Sequence, residues 1–389
     1  MQVSIFLVDD QPAYRAALGK RLSRTTHHVR SFESGEELLD AVEQDPPDLI
    51  ILDLKMPGMD GIQVLEALHT KSPDALVVLL TAYGTVEDAV EAIKLGAFDF
   101  LIKTVDLEDI ERVVTKAINH ILLRRRVAYE HQHQADQYDL GDLIAFSPSM
   151  RTLVAQLRHL TQLPNVPVLL MGETGTGKEF LARVIHHNST RRKGSFVKVS
   201  CTSLAPQRFE RDLFGYERGA FAGAERRKLG LLDQAENGTL FLDEIGDLDL
   251  SMQGKVVGIV EDQLFRRLGG TEDIAGDFRV LASSYRDLKA EVAAGRFRED
   301  LFYRLNAVPL VVPPIRNRLE DIVPLAKLFL MKYGLELGKE ITEIDPRAIH
   351  QLQQYAFPGN VRELQNMIER AMLLCAGRTL TPGDFPGAH

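Results

Sequence analysis

Short apolar runs separated by amphipathic stretches organise the first part of the chain. Val3–Val8, Leu49–Leu52, Leu76–Leu80 and Phe98–Ile102 read as strands with little or no polar interruption. Between them, Ala13–Leu22 and Val86–Leu95 carry apolar side chains at helical spacing. Strands lacking a polar face are buried on both sides, so the pattern predicts a parallel sheet covered by helices. Leu107 to about Gln134 reads as one long helix, with Leu107, Ile110, Val114, Ala117 and Ile121 forming an apolar stripe that Arg124 ends. That stripe fits packing on the sheet or a short dimer seam, and both readings stay open. Ala128–Asp142 is polar and reads as a linker. A second alternating region begins near Leu143, with strands at Val166–Met171, Phe196–Val199, Thr239–Leu242 and Phe278–Ala282. From Leu319 to His389 the pattern is purely helical.

Composition narrows the class. A chain of 389 residues has room for two or three domains, each with its own core. Lys plus Arg number 46 against 55 Asp plus Glu, a formal charge of −9, which argues against a surface that grips nucleic acid throughout. Cys201 and Cys375 are too few for a disulfide framework or a cysteine zinc site, which favours a reducing, cytoplasmic setting. His131 and His133 stand two apart, face different sides of a helix and make a poor metal pair. No apolar run is long enough to span a bilayer, and the start of the chain lacks the basic region of a signal peptide.

Candidate chemistry sits at strand ends. Asp9 and Asp10 end the first strand and Asp53 another, so their carboxylates meet in the crevice beyond the sheet. Clustered carboxylates repel unless they share a hard cation, and oxygen-only ligands suit Mg²⁺. Thr81 ends the next strand with a hydroxyl, and Lys103 follows the fourth with a cation. Residues 1–120 carrying this constellation resemble the receiver domain of bacterial response regulators, which has a flavodoxin-like fold. The resemblance implies that Asp53 is the phosphoacceptor. Asp10 would be the main metal ligand, Asp9 would act through water and the Lys55 carbonyl would complete the set. Thr81 and Phe100 would form the switch pair, with Lys103 neutralising the new charge. Thr104 stands where that family usually has proline.

The second region carries a phosphate cradle. Gly172-Glu173-Thr174-Gly175-Thr176-Gly177-Lys178 follows a strand and precedes a helix beginning near Glu179. Glycines let backbone N–H groups converge on phosphates, the helix N-terminus adds positive potential, and Lys178 reaches the β/γ oxygens. Glu179 replaces the usual hydroxyl ligand. Farther on, Thr239–Leu242 is a buried strand ending in Asp243 and Glu244, an arrangement suited to holding Mg²⁺ and polarising an attacking water. Arg298 and Arg304 lie six apart, and Pro358-Gly359-Asn360-Val361-Arg362-Glu363-Leu364 opens a helix after a turn.

Together with Gly219-Ala220-Phe221-Ala222-Gly223-Ala224 and Val312-Pro313-Pro314-Ile315-Arg316, these motifs make 143–389 resemble the AAA+ ATPase of the NtrC family, the activators of sigma-54 RNA polymerase. The hexamer is close to that family's GAFTGA loop. The resemblance implies an ATPase subdomain at 143–318, a helical lid at 319–389 and a helical linker at 121–142. It implies ATP and Mg²⁺ as cofactors, a sensor histidine kinase and sigma-54 polymerase as partners, and a dimer that becomes a ring such as a hexamer. Arg298 and Arg304 would act on a neighbour's nucleotide, while Arg362 would contact nucleotide in its own subunit. The sequence departs from the family at the loop threonine, here Ala222, at the asparagine that restrains the catalytic glutamate, here Ser200, and at the first sensor, here Tyr285 with Ser284 as a substitute. A helix-turn-helix is expected to be lacking after Thr381-Pro382-Gly383, so no direct specific DNA binding is expected. Two functions follow: a phosphorylation-controlled ATPase acting on sigma-54 polymerase, or a nucleotide-binding module with weak or no turnover acting through protein contact.

Overall fold

The computed structural model describes residues 3–23, 28–82, 85–103, 107–202, 206–375 and 377–385, without the side chains of 86–87, 107 and 126–136. Thr104 and the side chains of His131 and His133 lie outside the described residues. The chain divides into two compact units, Met1–His131 and Gln132–His389.

In the first unit the order is β1 (Ser4–Val8), α1 (Pro12–Leu22), β2 (His28–Phe32), α2 (Gly35–Gln44), β3 (Leu49–Asp53), α3 (Gly61–Lys71), β4 (Leu76–Thr81), α4 (Val86–Lys94), β5 (Asp99–Ile102) and the greater part of α5 (Leu107–Gln137), which runs past His131. All five strands are parallel, in the order β2-β1-β3-β4-β5. Alternate side chains of the apolar strands feed two cores. Phe6, Val8, Ile50, Leu52, Val77 and Leu79 meet α2 and α3 on one face. Ile5, Leu7, Leu49, Ile51, Val78 and Leu80 meet α1 and α5 on the other. Ile110, Val114, Ala117 and Ile121 are buried in that second core, so the apolar stripe packs on the sheet and does not remain free as a dimer seam. The polar stretch read as a linker is helical as far as Gln137. The sequence pattern shows no β2, because none of its side chains is fully buried and His28 and Ser31 are exposed. At the start of α3, Asp60 and Gln63 form a capping box, and a Cβ on Gly61 would lie 2.6 Å from the Asp53 carbonyl. Glycine therefore lets α3 begin against the strand end that carries Asp53.

The second unit continues with α6 (Pro148–Leu160), β6 (Val168–Met171), α7 (Lys178–His187), β7 (Phe196–Ser200), α8 (Pro206–Phe214), α9 (Leu231–Gln234), β8 (Thr239–Asp243) and α10 (Leu250–Glu261). A two-residue hairpin pairs β9 (Leu264–Phe265) with β10 (Ile274–Ala275). Then come β11 (Arg279–Ser284), α11 (Leu288–Ala293), α12 (Glu299–Leu305) and β12 (Pro309–Val311). The main sheet is parallel, in the order β12-β6-β11-β8-β7. Its C-terminal edge gathers the ends of β6, β11, β8 and β7, which carry the phosphate loop, Ser283, Asp243 and Ser200. The remainder is α13 (Leu319–Leu337), β13 (Glu343–Ile344), α14 (Pro346–Gln354), α15 (Asn360–Leu374) and β14 (Thr379–Leu380), around a separate core. This last part is not purely helical: β13 and β14 form a parallel pair two residues long, below the reach of periodicity.

Asp321 ties α13 to the segment before α6. Its carboxylate is fully buried and accepts from the Phe146 N–H at 2.6 Å, the Ser147 N–H at 3.0 Å and the Ser147 hydroxyl at 2.7 Å. Hydrogen bonds to a charged group contribute about 1.5–3 kcal/mol each, and their loss strands buried donors. Asp321→Ala is expected to cost about 3 kcal/mol or more, read as a lower urea midpoint of the second unit. An unchanged midpoint would contradict this role.

Candidate functional site

Two groups of chemistry-bearing side chains lie at carboxyl ends of parallel strands, one in each unit. In the first, ligand oxygens of Asp9, Asp10 and Asp53 all lie within 4.8 Å of one another. Asp9 and Asp53 are buried. The Lys103 amine reaches Asp53 at 2.6 Å and Asp9 at 2.7 Å. The Lys55 backbone N–H donates to Asp53 at 3.4 Å. Burial raises the Asp53 pKa above the usual carboxylate value, and nearby Asp9 adds to the rise against the pull of Lys103. Burial works against the charge on Lys103, but its bonds to Asp53 and Asp9 hold its pKa above normal. Asp10 Oδ1 is buried without a hydrogen-bond partner among the described residues. Such an orphaned acceptor, in a set of oxygen donors alone, fits a hard divalent cation. Thr81 is buried at the end of β4, and Phe100 is half-buried on β5.

In the second unit, a cleft of about 630 Å³ is lined by the phosphate loop, Asp243, Glu244, Tyr285, Arg318 and Arg362, among others. Lys178 begins α7, one residue earlier than the sequence pattern suggests. Its amine, almost wholly buried, donates to the carbonyls of Gly172 at 2.8 Å and Glu173 at 3.2 Å, and pairs with Glu244 at 2.9 Å. Gly175 and Gly177 have φ of +81° and +102°, backbone that glycine adopts without strain. Glu244 itself has φ of +58°, which turns its side chain away from the line of β8. Asp243 accepts from the Ser283 hydroxyl at 2.7 Å and pairs with Lys198 at 3.0 Å. Lys198 also pairs with Glu179 at 2.6 Å, so Glu179 holds a lysine of β7 that borders the Asp243 carboxylate. Both Asp243 oxygens are thus engaged, and a metal there would share the carboxylate with Lys198 or displace it.

Three family models match the chain: the response regulator receiver domain over residues 5–115, the sigma-54 interaction domain over 143–311 and the AAA+ ATPase lid domain over 316–389. The regulatory protein AtoC of Escherichia coli K12 is 40% identical over 382 residues, which cover 98% of this chain and 83% of that protein. The chain belongs to the NtrC-type response regulators. NtrC of Klebsiella pneumoniae is 36% identical over 385 residues, covering 98% of this chain and 80% of that protein. The crystal structure of NtrX from Brucella abortus in complex with ATP aligns with a TM-score of 0.65 at 33% identity, covering 99% of this chain and 84% of that one. A second structure of that NtrX holds ADP, at 32% identity and the same TM-score of 0.65. The receiver and the sigma-54 domain are those of two-component regulators that activate sigma-54 transcription.

The departures from the NtrC pattern have definite structural consequences. Ser200 pairs with Thr202 at 2.9 Å, and Glu244 is held by Lys178 and by the Tyr285 N–H at 2.7 Å. Restraint on this glutamate therefore comes from β11 and the phosphate loop, a source that the sequence does not suggest. The hydroxyl of Ser284, the expected substitute at the first sensor, does not face the acidic pair. It is buried and turned onto the Arg286 backbone, donating at 2.9 Å and accepting at 3.0 Å. The hydroxyl facing the acidic pair is that of Ser283, which donates to Asp243 and accepts from the Glu244 N–H at 2.9 Å. The Tyr285 phenol points to Asp247 at 3.1 Å.

Arg298 caps α12 and pairs with Asp300 at 2.7 Å, and Arg304 pairs with Glu261. Neither lines the cleft of its own subunit. Arg362 does line it, in the first turn of α15. The hexamer Gly219–Ala224 closes on itself through the Gly219 N–H to the Ala224 carbonyl at 2.8 Å. Phe221 stacks edgewise on Tyr216 at 4.9 Å and lies 5.0 Å beneath the Arg211 guanidinium, while Ala222 is exposed. No helix among the described residues is long and apolar enough to cross a membrane.

Proposed function

We propose that phosphorylation of Asp53 controls ATP hydrolysis in the cleft of the second unit, and that this hydrolysis drives action on sigma-54 RNA polymerase in the cytoplasm. A sensor histidine kinase supplies the phosphoryl group. Asp10, Asp9 and the Lys55 carbonyl would hold Mg²⁺, which would supply positive charge to offset the phosphoryl group. Lys103 stays paired with the new charge as Thr81 and Phe100 respond. In the cleft the backbone of Gly172–Gly177 cradles the phosphates, with Glu173, Thr174, Thr176 and Glu179 shaping the loop and its helix. Lys178 carries the β/γ charge, Asp243 would hold Mg²⁺, which would supply charge neutralisation there, and Glu244 polarises the attacking water. Arg362 reads nucleotide within the subunit, and Arg298 and Arg304 serve the site of a neighbour in a ring such as a hexamer, formed from an inactive dimer. The division into receiver 1–120, linker 121–142, ATPase subdomain 143–318 and lid 319–389 belongs to the same reading.

The observation that carries this reading is the Lys178–Glu244 pair at 2.9 Å, beside Asp243 at the mouth of one cleft. Glu244→Gln keeps the size of the side chain and removes the base. It is expected to retain ATP binding and to slow hydrolysis by about 10²-fold or more. Equal rates in the wild type and the variant would leave the second reading, a nucleotide-binding module without turnover. That reading is favoured by the exposed Ala222 tip, which offers no side-chain hydrogen bond to a partner.

A further inference from the structure

The outward carbonyls of the phosphate loop are held one after another by residues remote in sequence. The Thr174 carbonyl accepts from Asn360 Nδ2 at 3.1 Å, that of Gly175 from the Arg362 N–H at 3.3 Å, and that of Thr176 from Arg318 Nη2 at 2.8 Å. In a trans peptide the C=O of one residue and the N–H of the next point in opposite directions. Tying these carbonyls outward therefore turns the N–H groups of Gly175 and Gly177 toward the cradle, while the Thr176 N–H donates to the Glu173 carbonyl at 3.4 Å. A Cβ on Gly175 would lie 2.2 Å from the Gly359 carbonyl, so the loop and the turn before α15 touch backbone to backbone.

Asn360 is the centre of this contact. It is fully buried, with φ of +55°, a conformation that asparagine tolerates better than most residues. Its Oδ1 accepts from the Ile315 N–H at 2.9 Å, which leaves its amide hydrogens for the loop. Besides Thr174 they serve Glu173 Oε2 at 3.1 Å. Glu173 is gripped from the other side by a two-pronged pair with Arg316, at 2.5 and 2.8 Å. These contacts hold the Glu173 pKa down at about 2, through Arg316 first and Asn360 second.

We propose that Asn360 is a positioning residue for the phosphate loop: by donating to Glu173 and Thr174 it locks the loop in the shape that presents its N–H groups to ATP. This rests on the reading of the cleft as the ATP site. The side chain touches no nucleotide in this account and acts through Glu173 and the loop backbone.

The test exchanges donor and acceptor. Asn360→Asp keeps the acceptor for Ile315 but sets a carboxylate against Glu173. Asn360→Gly keeps the backbone conformation and removes the donors. Both are expected to weaken binding of a fluorescent ATP analogue with Mg²⁺ by about tenfold. Adding Glu173→Gln to Asn360→Asp restores a donor opposite the new carboxylate, and affinity is expected to return to within about threefold of the wild type. Glu173→Gln and Arg316→Gln alone, on half-exposed side chains, report on the same link should the buried variants fail to fold. Thermal melting without nucleotide is measured alongside. Lower melting temperatures with unchanged ATP affinity would overturn the proposal, as would a double variant no better than the Asn360→Asp parent. A wild-type chain that binds no ATP would instead defeat the reading of the cleft.

Discussion

Methionine in place of Lys178 is expected to abolish useful ATP binding. The amine is the one cation of the phosphate loop itself, and the fold delivers it with little freedom left. It is almost wholly buried and bonded to two loop carbonyls and to Glu244. When ATP enters, the amine can exchange the Glu244 carboxylate for phosphate oxygens while keeping its carbonyl partners. Methionine fills the same space and offers no charge. Among the described residues it also leaves Glu244 with only the Tyr285 N–H, so a bare carboxylate would face the phosphates. Charge-assisted hydrogen bonds of this kind contribute about 1.5–3 kcal/mol, and the exposed repulsion adds to the loss. Affinity for ATP is expected to fall by about 10²-fold, with a smaller loss for AMP, as titration with fluorescent analogues would show. ATP affinity within about threefold of the wild type would contradict the assignment.

Asparagine in place of Asp53 is expected to uncouple the receiver from the ATPase. Asp53 shares burial and the Lys103 pair with Asp9, but it sits at the end of the central strand β3, between Asp9 and Thr81. In the proposed role, a small acyl phosphate would transfer its phosphoryl group to this carboxylate and leave as its own carboxylate. Asparagine has no oxygen anion to accept it. The pH dependence has a definite sign. The Asp53 pKa is raised in the fold, chiefly by burial, so the neutral form is favoured there relative to the unfolded chain. Protonation of Asp53 is therefore a stabilising contribution, fully present below the unfolded pKa and lost as pH rises through the higher folded value. Above that value the ionised group carries a stability cost at the site where its nucleophilicity is needed. Phosphoryl uptake falls in the opposite direction, as pH drops through the raised pKa.

How far the sequence reveals this molecule depends on distance along the chain. Strands such as Leu49–Asp53 and Thr239–Asp243 are continuous apolar runs, and the acids at their ends are legible because the end of a buried strand is also a place in space. The phosphate loop is legible for the same reason, since its glycines, lysine and following helix are neighbours in sequence. Edge elements are harder to read. The half-exposed β2 and the three-residue β12 bury too little to leave a pattern. Partners brought together only by folding leave no local signal. Asn360 meets Glu173 across 187 positions, and Asp321 meets Phe146 across 175. Lys198 is an alternating polar residue of β7 until β8 sets Asp243 beside it. The apolar stripe of α5 is ambiguous by periodicity alone, because a helix seam looks the same whether a sheet or a second helix covers it.

The central claim is that the state of Asp53 governs turnover at Lys178 and Glu244. Its most direct test is the steady-state rate of ATP hydrolysis of the whole chain, with and without a small acyl phosphate and Mg²⁺, in the wild type and in Asp53→Asn. The account predicts a severalfold change of rate in the wild type and none in the variant. The same rate with and without the phosphodonor in a phosphorylated wild type, or an equal response in Asp53→Asn, would contradict it.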